Sequence, residues 1–149
     1  MTKILAYNVR IDEQPFVDQW AEEHGVQVDS TDKELHDDTV EMAKGYDGID
    51  FKQRTIVTQN PDFYKKLASY GIVQMSARSA GIDTVNLKWA KENHLRVTNV
   101  PSYSPEAVAE MALTQTMQLI RHIPQFNDRL SDNNYVVLGL RSQELTELT

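Results

Sequence analysis

Ser76-Ala77-Arg78-Ser79-Ala80-Gly81-Ile82-Asp83 brings a guanidinium, several small side chains and an acid into one short run. At a turn, such a run lets main-chain N–H groups face an anion, and a small carboxylate fits the space that small side chains leave. Two readings stay open on spacing alone. In one, Arg78 and the main-chain N–H groups of the loop serve a ligand; in the other, Gly81 only permits a turn and Arg78 only pairs with a nearby acid. Lys52 and Tyr103 are further candidates, chosen for position. A lysine at a strand end is commonly solvated and a tyrosine after Pro101-Ser102 commonly packs, so residue type adds nothing. His24, His36, His94 and His122 fall in helices or at helix ends and read as surface residues, which leaves no evident general acid or base.

These residues become a site only if the chain brings them to one edge. Short apolar runs alternate with amphipathic segments: strands are expected at 3–7, 26–28, 47–51, 72–77 and 95–98, and helices at 12–24, 38–44, 61–69 and 85–93. Five β/α alternations within about 100 residues suit a doubly wound parallel sheet, here of flavodoxin-like order 2-1-3-4-5. Ligands bind such sheets beyond the carboxyl ends of the strands. Four loops then matter: Asn8-Val9-Arg10, Lys52-Gln53-Arg54, Arg78-Ser79-Ala80-Gly81 and Pro101-Ser102-Tyr103. From Ser104, a capping serine, Pro105 and Glu106 open a long helix over 105–122. Its apolar residues occupy more than one face, which predicts burial on two sides. A further helix is expected at 125–131, then an irregular stretch and a polar end.

Composition narrows the classes of function. The 149 residues suit one domain with a short appendage, and they include no cysteine, which excludes disulfides, zinc–thiolate and iron–sulfur sites and thiol nucleophiles. A formal net charge of −7 argues against a large nucleic-acid footprint. The opening apolar run is too short for a signal peptide and nothing approaches a membrane span, so a cytoplasmic protein without membrane partners is expected.

The opening Lys3-Ile4-Leu5-Ala6-Tyr7-Asn8-Val9-Arg10, the Arg78–Asp83 loop and the run Asn99-Val100-Pro101-Ser102-Tyr103-Ser104-Pro105-Glu106-Ala107-Val108-Ala109-Glu110, in that order, resemble the NAD-dependent D-2-hydroxyacid dehydrogenases, bacterial D-lactate dehydrogenases especially. The resemblance covers nearly the whole chain. It implies a substrate-binding domain over 1–100, then a hinge near Val100-Pro101, with 101–149 carrying the long helix and the start of an incomplete Rossmann domain. It also implies that the Ala80 and Gly81 amides hold the carboxylate of a 2-oxo acid, that Tyr103 touches substrate from the hinge side, and that Arg78 braces the loop. NAD is the implied cofactor, and a homodimer or an association through the 105–122 helix the implied assembly.

The departures shape the expectation further. Family chains are about twice as long, and their glycine-rich nucleotide fingerprint and catalytic Arg, Glu and His match no residues here. The six glycines are too scattered to cradle a pyrophosphate. The sequence therefore reads as a fragment or truncated product, inactive and unable to bind NAD alone. Lys52 stands where lactate enzymes carry an aromatic or aliphatic residue against the substrate side chain. Either this cation meets the distal carboxylate of a larger diacid, or it turns outward and Phe51 fills the pocket; pyruvate and D-lactate are the expected pair. A non-catalytic remnant that associates through its long helix is the other reading. A response-regulator receiver, suggested by Asp50 near the third strand end, lacks the acidic pair after strand one and the lysine after strand five; a flavodoxin lacks its phosphate loop.

Overall fold

Residues alternate across the pleat of each strand, so that Leu5 and Tyr7 of β1 (Lys3–Tyr7), Ile49 and Phe51 of β3 (Gly48–Phe51) and Met75 and Ala77 of β4 (Gln74–Ala77) all face one side. With β2 (Gln27–Ser30) and β5 (Arg96–Thr98) they form a five-stranded, all-parallel sheet of order β2-β1-β3-β4-β5, in a computed structural model that describes residues 2–148. The expected topology is the observed one. The chain divides into two compact units, Met1–Tyr103 and Ser104–Thr149, and the sheet lies wholly in the first.

The core lies on the Leu5–Phe51–Met75 face, under α2 (Asp62–Ser69) and α3 (Leu87–Glu92), and includes Phe63, Tyr64, Leu67 and Ala90. Two buried phenols are satisfied there: Tyr7 donates to the Thr39 carbonyl at 3.0 Å, and Tyr64 accepts from the Asn86 amide at 2.8 Å. Asn86 also caps α3, its Oδ1 accepting from the Trp89 amide at 3.1 Å, which is why that helix starts later than the apolar pattern suggests. The opposite sheet face carries α1 (Gln14–His24), which ends at Gly25 with φ +60°, a left-handed C-cap that a side chain would strain.

Three expectations are corrected. The segment 38–44 is no α-helix but a 3-10 turn at Val40–Ala43. The Thr39 hydroxyl donates to the Glu34 carbonyl at 2.7 Å and accepts from the His36 amide at 2.8 Å, pulling the chain into a tight turn, and Gly45 at φ +90° ends it. His36 consequently sits in a half-buried loop, not at a helix end. The long helix, α4 (Pro105–Ile120), has no buried residue, and Val108, Met111, Leu113 and Leu119 are exposed. The described part of its unit contains only α4, α5 (Ile123–Ser131) and a 3-10 turn at Leu145–Glu147, so no sheet is present there to take either apolar face. Within that unit, Arg129 donates to the Leu138 carbonyl at 2.9 Å and the Gln143 amide to the Ile120 carbonyl at 3.1 Å. No helix among the described residues is long and apolar enough to cross a membrane.

Leu67→Ala should lower unfolding free energy by about 3 kcal/mol through loss of buried contacts and the cavity left behind. Asn86→Ala should cost about 1 kcal/mol, the worth of one cap. Urea unfolding of the two variants checks the order; an equal or reversed cost would show that α2 does not carry the core.

Candidate functional site

The β3–β4 register pairs Asp50 with Ser76 and Phe51 with Ala77, so the chain leaves the sheet at Lys52 and Arg78 side by side. The Arg78 amide extends the ladder, donating to the Phe51 carbonyl at 2.8 Å. Arg78 then turns its guanidinium back across the strand ends. Nη1 pairs with the Asp50 carboxylate, and Nη2 donates to the carbonyls of Tyr7 and Asn8 at 2.9 Å each. Three strand ends, β1, β3 and β4, are thereby tied to one side chain. Its Nε is buried and has no partner among the described residues.

Burial pushes the Asp50 carboxyl up, and the charge and hydrogen bond of Arg78 pull it only part of the way back, leaving it above the ordinary aspartate value. A carboxylate in that position is costly unless paired, which fixes Arg78 to it. Glu13, at the N-cap of α1, completes the cluster. Its Oε1 accepts from Lys52 Nζ at 2.9 Å, its Oε2 accepts from the Arg10 amide at 3.1 Å, and Arg78 Nη2 lies 3.9 Å away. Burial works against Glu13 ionising, but the Lys52 and Arg10 hydrogen bonds and the two cations outweigh it and hold the carboxyl below the ordinary glutamate value.

Past Arg78 the loop is held from the outside. The Ser79 carbonyl accepts from the Val100 amide at 3.1 Å, the Ala80 carbonyl from Asn99 Nδ2 at 2.7 Å, and the Gly81 carbonyl from Ser79 Oγ at 2.7 Å. The amides of Ser79, Ala80 and Gly81 have no intramolecular acceptor among the described residues, and Ala80 and Gly81 are exposed. Gly81 is not in the left-handed region, and a Cβ there would meet only Asp83 Oδ2, at 3.9 Å. The turn does not require glycine; what its missing side chain leaves open is access to the N–H groups. The arrangement can accept an anion of carboxylate size.

The other candidates separate. Lys52 is at the same edge, 36% exposed and engaged by Glu13. Phe51 is 1% exposed and packed in the core, so its side chain offers a ligand no surface, a correction to the expectation that it could fill a pocket; its parity along β3 turns it to the core face. Tyr103 is 77% exposed at the end of the first unit. His36 is committed, with Nδ1 3.1 Å from the Val57 carbonyl and Nε2 3.3 Å from both Glu34 and Thr55. Among the described residues no cluster of three or more histidines or acids could hold a metal ion.

Sequence reasoning missed the Asp50–Arg78–Glu13–Lys52 cluster. The signal was present: Asp50 interrupts an apolar strand, and Arg78 follows the neighbouring strand at the matching place. A groove of about 660 Å³ lies on the α1 face, apolar along Ile4, Trp20 and Val28 and bordered at one end by Glu13, Asp50 and Arg78.

Residues 4–145 match the model of a family described as "D-isomer specific 2-hydroxyacid dehydrogenase, catalytic domain". A D-lactate dehydrogenase of Lactiplantibacillus pentosus is 39% identical over 148 residues, 99% of this chain and 44% of that one. A D-2-hydroxyacid dehydrogenase (NAD(+)) of Clostridioides difficile is 41% identical over 134 residues, 89% of this chain and 40% of that one. The NAD-complexed structure of a D-isomer specific 2-hydroxyacid dehydrogenase from Lactobacillus delbrueckii ssp. bulgaricus superimposes with a TM-score of 0.74 at 39% identity, covering 96% of this chain and 43% of that one. The chain thus spans less than half the length of these relatives.

The lowered pKa of Glu13 gives its pairing a pH signature. The pair stabilises the fold fully above the ordinary glutamate value of about 4.3 and loses that contribution as pH falls through the lowered one. Asp50, raised, has the opposite sign: its protonation relieves a cost. Glu13→Gln should therefore be less stable than the parent at neutral pH, with the difference closing below about pH 4. Thermal unfolding against pH measures this, and parallel curves would contradict it.

Proposed function

Because residues 4–145 match that model, the chain belongs to the D-isomer specific 2-hydroxyacid dehydrogenase family, and on that premise we propose that it supplies the substrate-binding part of an oxidoreductase interconverting pyruvate and D-lactate with NADH and NAD. The observation that carries the proposal is the row of unengaged amides at Ser79, Ala80 and Gly81 beyond the carboxyl end of β4, the last two on exposed residues. Two of them, on Ala80 and Gly81, hold the carboxylate of the 2-oxo acid. Fixed N–H dipoles suit this task because they need no reorganisation when the anion arrives.

The surrounding residues have separate roles in this reading. Arg78 does not touch substrate. Both of its terminal nitrogens are engaged, Nη1 by Asp50 and Nη2 by the Tyr7 and Asn8 carbonyls, and it acts by keeping the loop at a fixed height above the sheet. Lys52 borders the substrate's side chain, and Tyr103 closes on it from the segment leading out of the first unit, residues 1–100 forming the substrate domain and 101–149 the hinge and long helix.

The dinucleotide does not fit the residues described. Its pyrophosphate needs clustered glycines in a turn from strand to helix, whereas Gly139 is the only glycine of the second unit and that unit has no strand among its described residues. No hydride-transfer step is therefore assigned to these side chains. The cofactor's contribution would be the hydride itself, and this chain's contribution the placing of the acid that receives it.

Titrating pyruvate into the 15N-labelled chain should shift the amides of Ser79, Ala80 and Gly81 first. Fusion to the portion of a D-lactate dehydrogenase that this chain does not span should give NADH oxidation with pyruvate. Shifts confined to other residues, or no oxidation with any small 2-oxo acid, would refute the proposal.

The exposed Val108, Met111, Leu113 and Leu119 of α4 favour a second role, self-association through this helix. Sedimentation at several concentrations should then show a dimer that Leu113→Glu weakens; a monomer throughout would end this reading.

A further inference from the structure

The cation beside the anion seat is already neutralised, and this bears on which acids the seat accepts. Lys52 follows the last residue of β3, and the Phe51 carbonyl is bonded to the Arg78 amide, so Lys52 starts one strand spacing, about 4.8 Å, from the chain that runs into Ser79–Gly81. A 2-oxo diacid seated by one carboxylate on Ala80 and Gly81 would extend its other carboxylate toward a neighbouring loop, and among the described residues Lys52 is the half-buried cation there. Its charge is not available. Glu13 holds Nζ at 2.9 Å, and Glu13 is itself fixed through the Arg10 amide at the positive end of α1, where a carboxylate is favoured.

The four charges balance locally: Asp50 against Arg78 and Glu13 against Lys52, with Glu13 also 3.9 Å from Arg78. A second ligand carboxylate brought to Lys52 would have to displace Glu13 or lie beside it, and like charges at that distance repel.

Building on the reading of Ala80 and Gly81 as a carboxylate seat, we propose that Glu13 is a specificity-determining residue: by occupying Lys52 it makes the site prefer 2-oxo monoacids and reject 2-oxo diacids. Glu13 acts through Lys52 and touches no substrate. Removing its charge transfers Lys52 from the protein to the ligand, converting the site toward diacids by one substitution remote in sequence from both loops.

Pyruvate and 2-oxoglutarate, titrated separately into the 15N-labelled 149-residue chain and read at the Ala80 and Gly81 amides, test this. Glu13→Gln should raise the ratio of 2-oxoglutarate to pyruvate affinity about tenfold, the worth of one charge-assisted hydrogen bond. Adding Lys52→Met to Glu13→Gln should return the ratio to that of the parent. A ratio unmoved by Glu13→Gln overturns the role of Glu13. A gain that survives Lys52→Met overturns it also and assigns the second carboxylate to another cation, the exposed Arg54 being nearest in sequence. Failure of pyruvate to shift these amides in any form removes the seat itself, and so the function beneath this inference, which distinguishes the two failures.

Discussion

One arginine sets the height and direction of everything at the carboxyl edge of the sheet. Arg78 could have pointed into water; instead it lies across three strand ends, held by a carboxylate from β3 and by two carbonyls from the end of β1. Asp50 is the reason. Half-buried on the α1 side of the sheet, its carboxyl is forced above the ordinary aspartate value, and a cation with several donors satisfies it while also serving the backbone. Lysine would supply the charge without the planar fork. The constraint is electrostatic in origin and geometric in effect, because satisfying Asp50 fixes where the following loop begins.

The cluster also separates two jobs that the residue types alone leave mixed. Two cations leave the sheet on adjacent strands, but one is held by two carbonyls and a carboxylate while the other meets a single glutamate. Arg78 is consequently part of the frame, and Lys52 belongs to the lining we propose. The anion seat proposed beyond them contains no charged side chain of its own; it consists of the Ala80 and Gly81 N–H groups, whose peptide planes carry the Ser79 and Ala80 carbonyls engaged by Val100 and Asn99. Such a seat is rigid because its neighbours are bonded, not because its own groups are.

Most of the architecture was legible in the residues. Apolar runs such as Ile4-Leu5-Ala6-Tyr7 and Gly48-Ile49-Asp50-Phe51 mark strands, and their alternation with helices suits a doubly wound sheet, of which the expected order 2-1-3-4-5 is the one observed. The loop at Ser79–Gly81 was legible as a turn beyond a strand end, while its small residues and arginine left the ligand and structural readings both open. What was not legible depended on tertiary contact. The turn at Val40–Ala43 is bent by the Thr39 side chain bonding to Glu34 and His36, a local competition that apolar spacing does not register. Phe51 was misread because its parity along β3 turns it to the core. The faces of α4 have the composition of a buried helix, and no local pattern tells a covered face from an uncovered one. The pairing of Arg78 with Asp50 spans 28 positions and becomes visible only once β3 and β4 are in register.

The two hydrogen bonds behind the seat join it to the stretch that leads out of the sheet after β5. Because the Ser79 carbonyl is held by Val100 and the Ala80 carbonyl by the Asn99 side chain, a tug on residues 99–100 is transmitted to the peptide planes whose opposite ends carry the N–H groups proposed to hold the carboxylate. Tilting those planes aims their N–H vectors elsewhere. Occupancy of the loop and the setting of the exit strand are in this sense one mechanical coordinate, and grip and posture are read from the same pair of atoms.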